Sequence, residues 1–241
     1  GNLMQDEALL DEIVNLVEYP TPLLGQIPAE YMDLPDTVIL TPMKDHLRYI
    51  PVLDDKGDPM PYFVTVRNGD KTGLDTVREG NERVLTPRLE DAKFFYKEDR
   101  KQPLEDYVPE LENLVFHDKL GNMLEKTNRV RSLARQIGTQ MGVGESALAS
   151  IDRAAYLSKA DLVTHMVIEF TELQGIIGGI YAKESGESDV VARAISEHYL
   201  PNQSRGALPE TTTGLVISLA DKLDSLCGLF AAGEKISGSQ D

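Results

Sequence analysis

Apolar and polar positions along the early part of the chain follow two different periods. In DEALLDEIVNLVEYP the apolar residues recur every three to four positions, which predicts an amphipathic helix stopped by Pro20. YMDLPDTVILTPMKDHLRY predicts a second helical segment with Pro42 near its start or at a kink. IPVLD and PYFVTVRN are short β-rich runs, and the DKGDPM between them has the Gly, Asp and Pro chemistry of a hairpin loop. Two strands alone are marginal in water. The hairpin is therefore expected to complete a sheet whose other strands lie outside this sequence, or to pack on the helices before it.

From about Leu74 the period becomes helical. TVREGNERVLTPRLEDAKFFYKEDR sets Val77, Val84, Leu85, Leu89, Ala92, Phe95 and Tyr96 at helical spacing among charges, as in a helix that joins two domains. PLEDYVPELENLVFHDKLGNMLEKTNRVRSLARQIG predicts one or two more helices ending near Gly138, with His117 and Asp118 as exposed helix residues. After the glycine-rich break GTQMGVGES come ALASIDRAAYLSKADLVTHMVIEF, SDVVARAISEHYL and TTTGLVISLADKLDSLCGLFAAGE, with ESGESD and PNQSRGALPE as loops. No β-rich run interrupts them. The fold class read from these periods is α+β: a mixed α/β segment over 1–73, a helical connector over 74–110 and an all-α domain over 111–241. The Gly-Asn pairs in VRNGD and VREGN read as backbone features, a turn and a helix break. The abrupt start and the uncapped tail EKISGSQD point to an excised fragment whose first glycine is a cleavage scar.

Composition narrows the function classes. The chain is 41% hydrophobic and 27% charged, enough for a buried core. It holds no apolar run of bilayer length and no signal-like N-terminus, so a cytoplasmic location without membrane contact is expected. The single Cys227 cannot build a disulfide framework, and its apolar run LDSLCGLF predicts a packing role. The net charge of −16 argues against a polyanionic partner such as DNA. Its distribution tempers this: residues 1–66 carry 3 basic and 12 acidic side chains, 67–135 carry 14 and 14, and 136–241 carry 7 and 14. Any nucleic-acid contact falls first to arginines of the middle third, where the competing reading is ion pairing with Glu79, Glu82, Glu90 or Asp91.

Catalytic chemistry is not evident from the residues alone. His46, His117, His165 and His198 are scattered over four segments, none paired at metal-site spacing. No phosphate-binding glycine loop or nucleophile elbow is present.

The order of features in the helical half nevertheless resembles the HD phosphohydrolase fold. Three residues ahead of the RVxxLA-like run in NRVRSLA, where that family has its first histidine, stands Lys126. The family's His-Asp pair matches Ala160-Asp161 in LSKADLVTHM, a further histidine falls on Gln174, His198 is kept in EHYLP, and the final aspartate matches Asp221 in SLADKLDSL. The resemblance thus implies a degenerate site that binds no metal, with Asp161 and Asp221 hydrogen-bonded or paired with lysines inside the bundle.

Longer runs carry a closer resemblance. LVEYPTPLLG, MKDHLRYIPVLD, PYFVTVRNGD, LDTVREGNERVLTPRLEDAKFFYKEDRKQPLEDYV, KADLVTHMVIEFTELQGIIGGIYA and ISLADKLDSLCGLFAAGEKISGSQD look like the β subunit of bacterial tetrameric glycyl-tRNA synthetases. At HDKLG the family commonly has Gln-Glu-Lys-Leu-Gly, so the dipeptide is a local variant. The resemblance implies that residues 1–73 end an editing-like domain and that 111–241 form the HD-like domain. It implies tRNA(Gly) and the α subunit as partners, with ATP and Mg used by the α subunit and no cofactor in this segment. The tRNA-binding candidates are then Arg67, Arg78, Arg83, Arg88, Arg129 and Arg131, since a guanidinium can hold phosphate bidentately and stack on a base. Two rivals are a metal-dependent phosphohydrolase using Asp161, His198 and Asp221, and hydrolytic editing of mischarged tRNA by the N-terminal part.

Overall fold

The computed structural model describes residues 1–234; the tail expectation at 235–241, with the end of the last quoted run, lies outside them. Packing divides the chain into a unit over Gly1–Glu98 and a second from Asp99 onward. The fold is α+β, a sheet with helices followed by a helical region.

The first unit runs β1 (Asn2–Leu3), α1 (Glu7–Leu16), β2 (Pro20–Gln26), α2 (Asp36–Thr41), β3 (Ile50–Leu53), β4 (Pro59–Asn68) and α3 (Leu74–Asp99), the last of which ends at the division. Asp6 caps α1 by accepting from Leu9 N, and the helix ends at Leu16, before Pro20. Pro20 opens a strand instead of stopping a helix. The β3–β4 hairpin is as expected, and among the described residues β1 and β2 flank it in the antiparallel order β1-β3-β4-β2.

β2 can hold two prolines because it is an edge. Ile27 N reaches back to Pro61 O, so odd positions face β4 while Pro20, Pro22, Leu24 and Gln26 face outward. Two of those four lack an N–H, and the Gln26 N–H is taken by Glu82 Oε1 at 2.9 Å, which blunts the edge against further pairing. Gly25 lies opposite Phe63, whose ring would stand 2.3 Å from a Cβ there. Phe63 stacks on Tyr49 with centroids 4.5 Å apart.

The helical run after α2 continues through Pro42 as a π-helical turn, Pro42–His46. α3 passes through both Gly80-Asn81 and Pro87 without ending, so the helix break expected at VREGN does not occur. Asn81 is held in helix by donating to Val77 O at 2.8 Å, while its Oδ1 accepts from Tyr49 Oη at 2.8 Å. Gly69, with φ 144°, is a bend at the end of β4 whose N–H still donates to Tyr19 O. Leu85, Leu89, Ala92 and Tyr96 are the buried stripe of α3, whereas Val84 is exposed.

The second unit begins with a 3-10 stretch, Leu104–Asn113, and a two-stranded hairpin of β5 (Val115–His117) and β6 (Gly121–Asn122). His117 and Asp118 therefore lie on a hairpin and its turn, which corrects their expected place on a helix. Gly121 decides this: its φ is 84°, and a Cβ would stand 1.7 Å from Glu125 Oε2. Glu125 is needed there to close a capping box with Asn122 on α4 (Met123–Gln140). Then follow α5 (Glu145–Leu157), α6 (His165–Glu169), α7 (Ile176–Glu184), α8 (Asp189–Glu197) and α9 (Thr212–Ala232). α7 was not anticipated. Its Gly178 and Gly179 are there for close packing, since a Cβ would stand 2.7 Å from Asp161 Oδ2 and 2.0 Å from Ser196 Oγ, respectively.

The hairpin clamps the end of α9. Lys119 Nζ donates to Ala232 O at 2.6 Å, and His117 Nε2 lies 3.1 Å from Glu234 Oε1 while its Nδ1 accepts from Lys119 N. A cation on the terminal carbonyls complements the helix dipole, so Lys119→Met is expected to destabilise the protein by about 0.5–1 kcal/mol in urea unfolding. An unchanged midpoint would show that the contact is idle. Cys227 is exposed, against the packing role expected of it. The buried positions of α9 stop at Asp221 and resume only at Ala232, so the apolar run around Cys227 lies largely outside the core.

Candidate functional site

The second unit gathers titratable groups where α4, α9, the segment after α5 and the end of α8 meet. Lys126 comes from α4, Lys159 and Asp161 from the 3-10 turn at Ala160–Val163 and its cap, His198 from the residue after α8, and Asp221 and Asp224 from α9. Lys126, Lys159, Asp161, His198 and Asp221 are all buried, as is Ala160.

Asp221 is the centre of the cluster. Its Oδ2 accepts from Lys159 Nζ at 2.8 Å, and its Oδ1 lies 2.9 Å from Lys126 Nζ as an ion pair without hydrogen-bond alignment. Lys126 Nζ also donates to Ser225 Oγ at 2.7 Å and Asp224 Oδ2 at 3.2 Å. Burial alone would raise the Asp221 carboxyl, but the two ammonium groups hold it well below the ordinary carboxylate range. Burial pulls Lys159 down from the usual lysine value while Asp221 pulls it back. We read the pair as ionised, because one carboxylate faces two cations. Lys159 also stands 3.8 Å from the centroid of the Tyr199 ring, a favourable seat for a buried cation.

Asp161 is differently satisfied. Its Oδ2 accepts from Gly175 N at 2.6 Å and Gly178 N at 3.1 Å, whereas Oδ1 has no partner. Burial raises its pKa to about 6. His198 donates from Nδ1 to Ile195 O at 2.6 Å, which leaves Nε2 as an unpartnered acceptor. Burial, with Lys159 nearby, lowers His198 to about 3, so the ring is neutral. Gln174 is exposed and stands outside the cluster.

The sequence resemblance named Lys126, Asp161, His198 and Asp221 but missed Lys159, Tyr199, Asp224 and Ser225. A lysine directly before Ala160-Asp161 was the available signal. Among the described residues no group of three or more His, Cys, Asp or Glu side chains is arranged to hold a metal ion.

Of the arginine candidates, Arg67, Arg78, Arg83 and Arg88 belong to the first unit and Arg129 and Arg131 to the second. Arg129 is tied to Asp224 by Nε–Oδ1 at 2.7 Å and Nη2–Oδ2 at 3.2 Å, and Arg131 holds Asp152 in a fork at 2.7 and 2.6 Å. Arg67 donates to Thr72 O, and Arg78 pairs with Asp75 at 2.9 Å. Arg83 is exposed on α3. Arg88 is half-buried on the same helix. The acids offered as their partners are partly used elsewhere: Glu82 serves the edge of β2, and Glu90 Oε1 accepts from Tyr31 Oη at 2.6 Å. No helix among the described residues is long and apolar enough to cross a membrane.

Comparison with known proteins agrees with the longer sequence resemblance. The family model described as glycyl-tRNA synthetase beta subunit matches residues 1–241. The glycine--tRNA ligase beta subunit of Ligilactobacillus salivarius is 51% identical over 240 residues, covering 100% of this chain and 35% of the relative. That of Bacillus subtilis is 49% identical over 236 residues, covering 98% of this chain and 35% of the relative. The corresponding protein of Desulfitobacterium hafniense is 48% identical over 241 residues, with 100% and 35% covered. The chain thus spans about a third of the length of these relatives.

Proposed function

The chain belongs to the glycyl-tRNA synthetase β-subunit family, and from that premise we propose that this segment serves glycyl-tRNA synthesis as a non-catalytic scaffold that also contacts tRNA(Gly). Activation of glycine with ATP and Mg falls to the α subunit in this reading, and the segment works in the cytoplasm as part of the α2β2 assembly. It combines the end of an editing-like domain with an HD-like helical domain.

The observation that carries the scaffold role is the Asp221 carboxylate held between the ammonium groups of Lys126 and Lys159. Side-chain cations fill the place where hydrolytic chemistry would need a metal or an open base. Such a cluster ties α4, the segment after α5 and α9 into one body, and its groups are too buried to reach a substrate. The phosphohydrolase reading finds no support in this donor set.

For the tRNA contact, Arg83 is the first residue to examine, because it is exposed on α3 while Arg129 and Arg131 are engaged in bidentate pairs; Arg78 and Arg88 are tested with it because they share that helix. Arg78, Arg83 and Arg88 together changed to glutamate in the assembled enzyme are expected to weaken tRNA binding and flatten its salt dependence by about one logarithmic unit per lost phosphate contact. Affinity and salt slope equal to the unaltered enzyme would place the tRNA surface elsewhere.

A further inference from the structure

The solvent side of α9 carries an apolar stripe that the rest of the described chain leaves bare. Leu215, Leu219, Leu223, Leu226 and Phe230 are between 36% and 58% exposed and follow one another at steps of four, four, three and four residues. At 1.5 Å per residue they form one continuous face of about 22 Å. Scattered exposed leucines are ordinary; a single-face row of this length marks a contact surface.

The helix that carries the stripe is anchored on its opposite side and at its end. On the other side of α9, Leu120 of the hairpin approaches Gly228 so closely that a Cβ there would stand 3.0 Å from its Cδ1, and Lys119 holds the helix end through Ala232 O. Lys222, beside the stripe, is turned back onto Leu200 O at 2.9 Å and Ser218 Oγ at 3.1 Å and does not interrupt it.

We infer that the stripe is the seat of an amphipathic helix from elsewhere in the same β subunit. Two observations select this occupant over a second copy of the chain. A net charge of −16 sets copies repelling one another, whereas a tethered segment is held at high effective concentration. The relatives carry this segment as only 35% of their length, so about two-thirds of the subunit remains to supply the helix.

Cys227 reports on the contact, because it is exposed next to Leu223, Leu226 and Phe230 and is the only cysteine of the chain. Its alkylation by a maleimide, read by peptide mass spectrometry, is to be compared in this chain and in the complete β subunit purified without the α subunit. The expected result is rapid labelling of the chain and labelling at least about tenfold slower in the complete subunit. Leu226→Glu is expected to leave the melting temperature of the chain unchanged and to restore rapid labelling of the complete subunit. Equal rates in both proteins would overturn the inference. So would slow labelling of the dilute chain, which would mean that the chain covers its own stripe. Protection that grows with chain concentration together with a dimer mass would assign the stripe to self-association, and protection only on adding the α subunit would assign it to that partner.

Discussion

Asp221→Ala is expected to destabilise the protein by about 3–5 kcal/mol, because it strands the buried ammonium group of Lys159 without its carboxylate and leaves Lys126 only Asp224 and Ser225. Urea unfolding followed by helical signal measures it. The deficit should shrink as pH rises, and the sign can be worked out. Lys159 is already lowered from 10.5 in the folded protein, and without Asp221 it is lowered further. The unfolded chain then binds more protons than the folded one between the folded and unfolded lysine values, so stability climbs with pH across that window. Lys159→Met should be milder, since Asp221 keeps Lys126 and methionine can lie on the Tyr199 ring. A loss below about 1 kcal/mol for Asp221→Ala would mean that water reaches the cluster and that the pair contributes no more than a surface ion pair.

How far such a cluster could be read from sequence depends on what each residue type discloses. Asp161 and Asp221 stood out through the order of the HD-like features, and the structure brings them into one buried region with Lys126 and His198. Lys159 did not stand out, because lysine is by default a surface residue and only the packing of the segment after α5 against α9 reveals that this one is buried. The same holds for the fold. The β3–β4 hairpin was legible from alternation and turn chemistry, and α3, α8 and α9 from three-to-four-residue repeats. β2 was hidden because PTPLLG has two prolines and a glycine, which argue against a strand unless it lies at an edge, and an edge is not visible without the partner strand. α7 was hidden by Gly178-Gly179, poor helix formers that are present for the close approach of Asp161 and Ser196. LVFHDKLGNML was misread because its apolar spacing suits a helix; one positive φ at Gly121 turns it into a hairpin.

The second large effect is a pH dependence in which Asp161 and His198 oppose one another. The Asp161 pKa rises from 3.8 to about 6 on folding, so between those values the folded chain binds the extra proton and stability falls as pH rises. The size of that fall is about 3 kcal/mol. His198 drops from 6.5 to about 3, so the unfolded chain binds the extra proton there and stability rises with pH. Across about pH 4–6 the two slopes, each about 1.4 kcal/mol per unit, nearly cancel in the unaltered protein. Removing one group should expose the other. Asp161→Asn keeps an oxygen to accept from Gly175 N and Gly178 N while removing the charge that burial penalises, so it is expected to be neutral or stabilising at pH 7. Its stability should then climb with pH from about 4 to 6 under the His198 contribution alone. His198→Asn, whose amide can still donate to Ile195 O, should show the opposite fall over the same range. Urea midpoints of the three proteins measured at half-unit pH intervals test this directly. Three parallel curves would mean that neither group is as dehydrated as its burial implies. Opposite slopes for the two variants would establish that both titrate inside the bundle, where charge is balanced by neighbouring side chains.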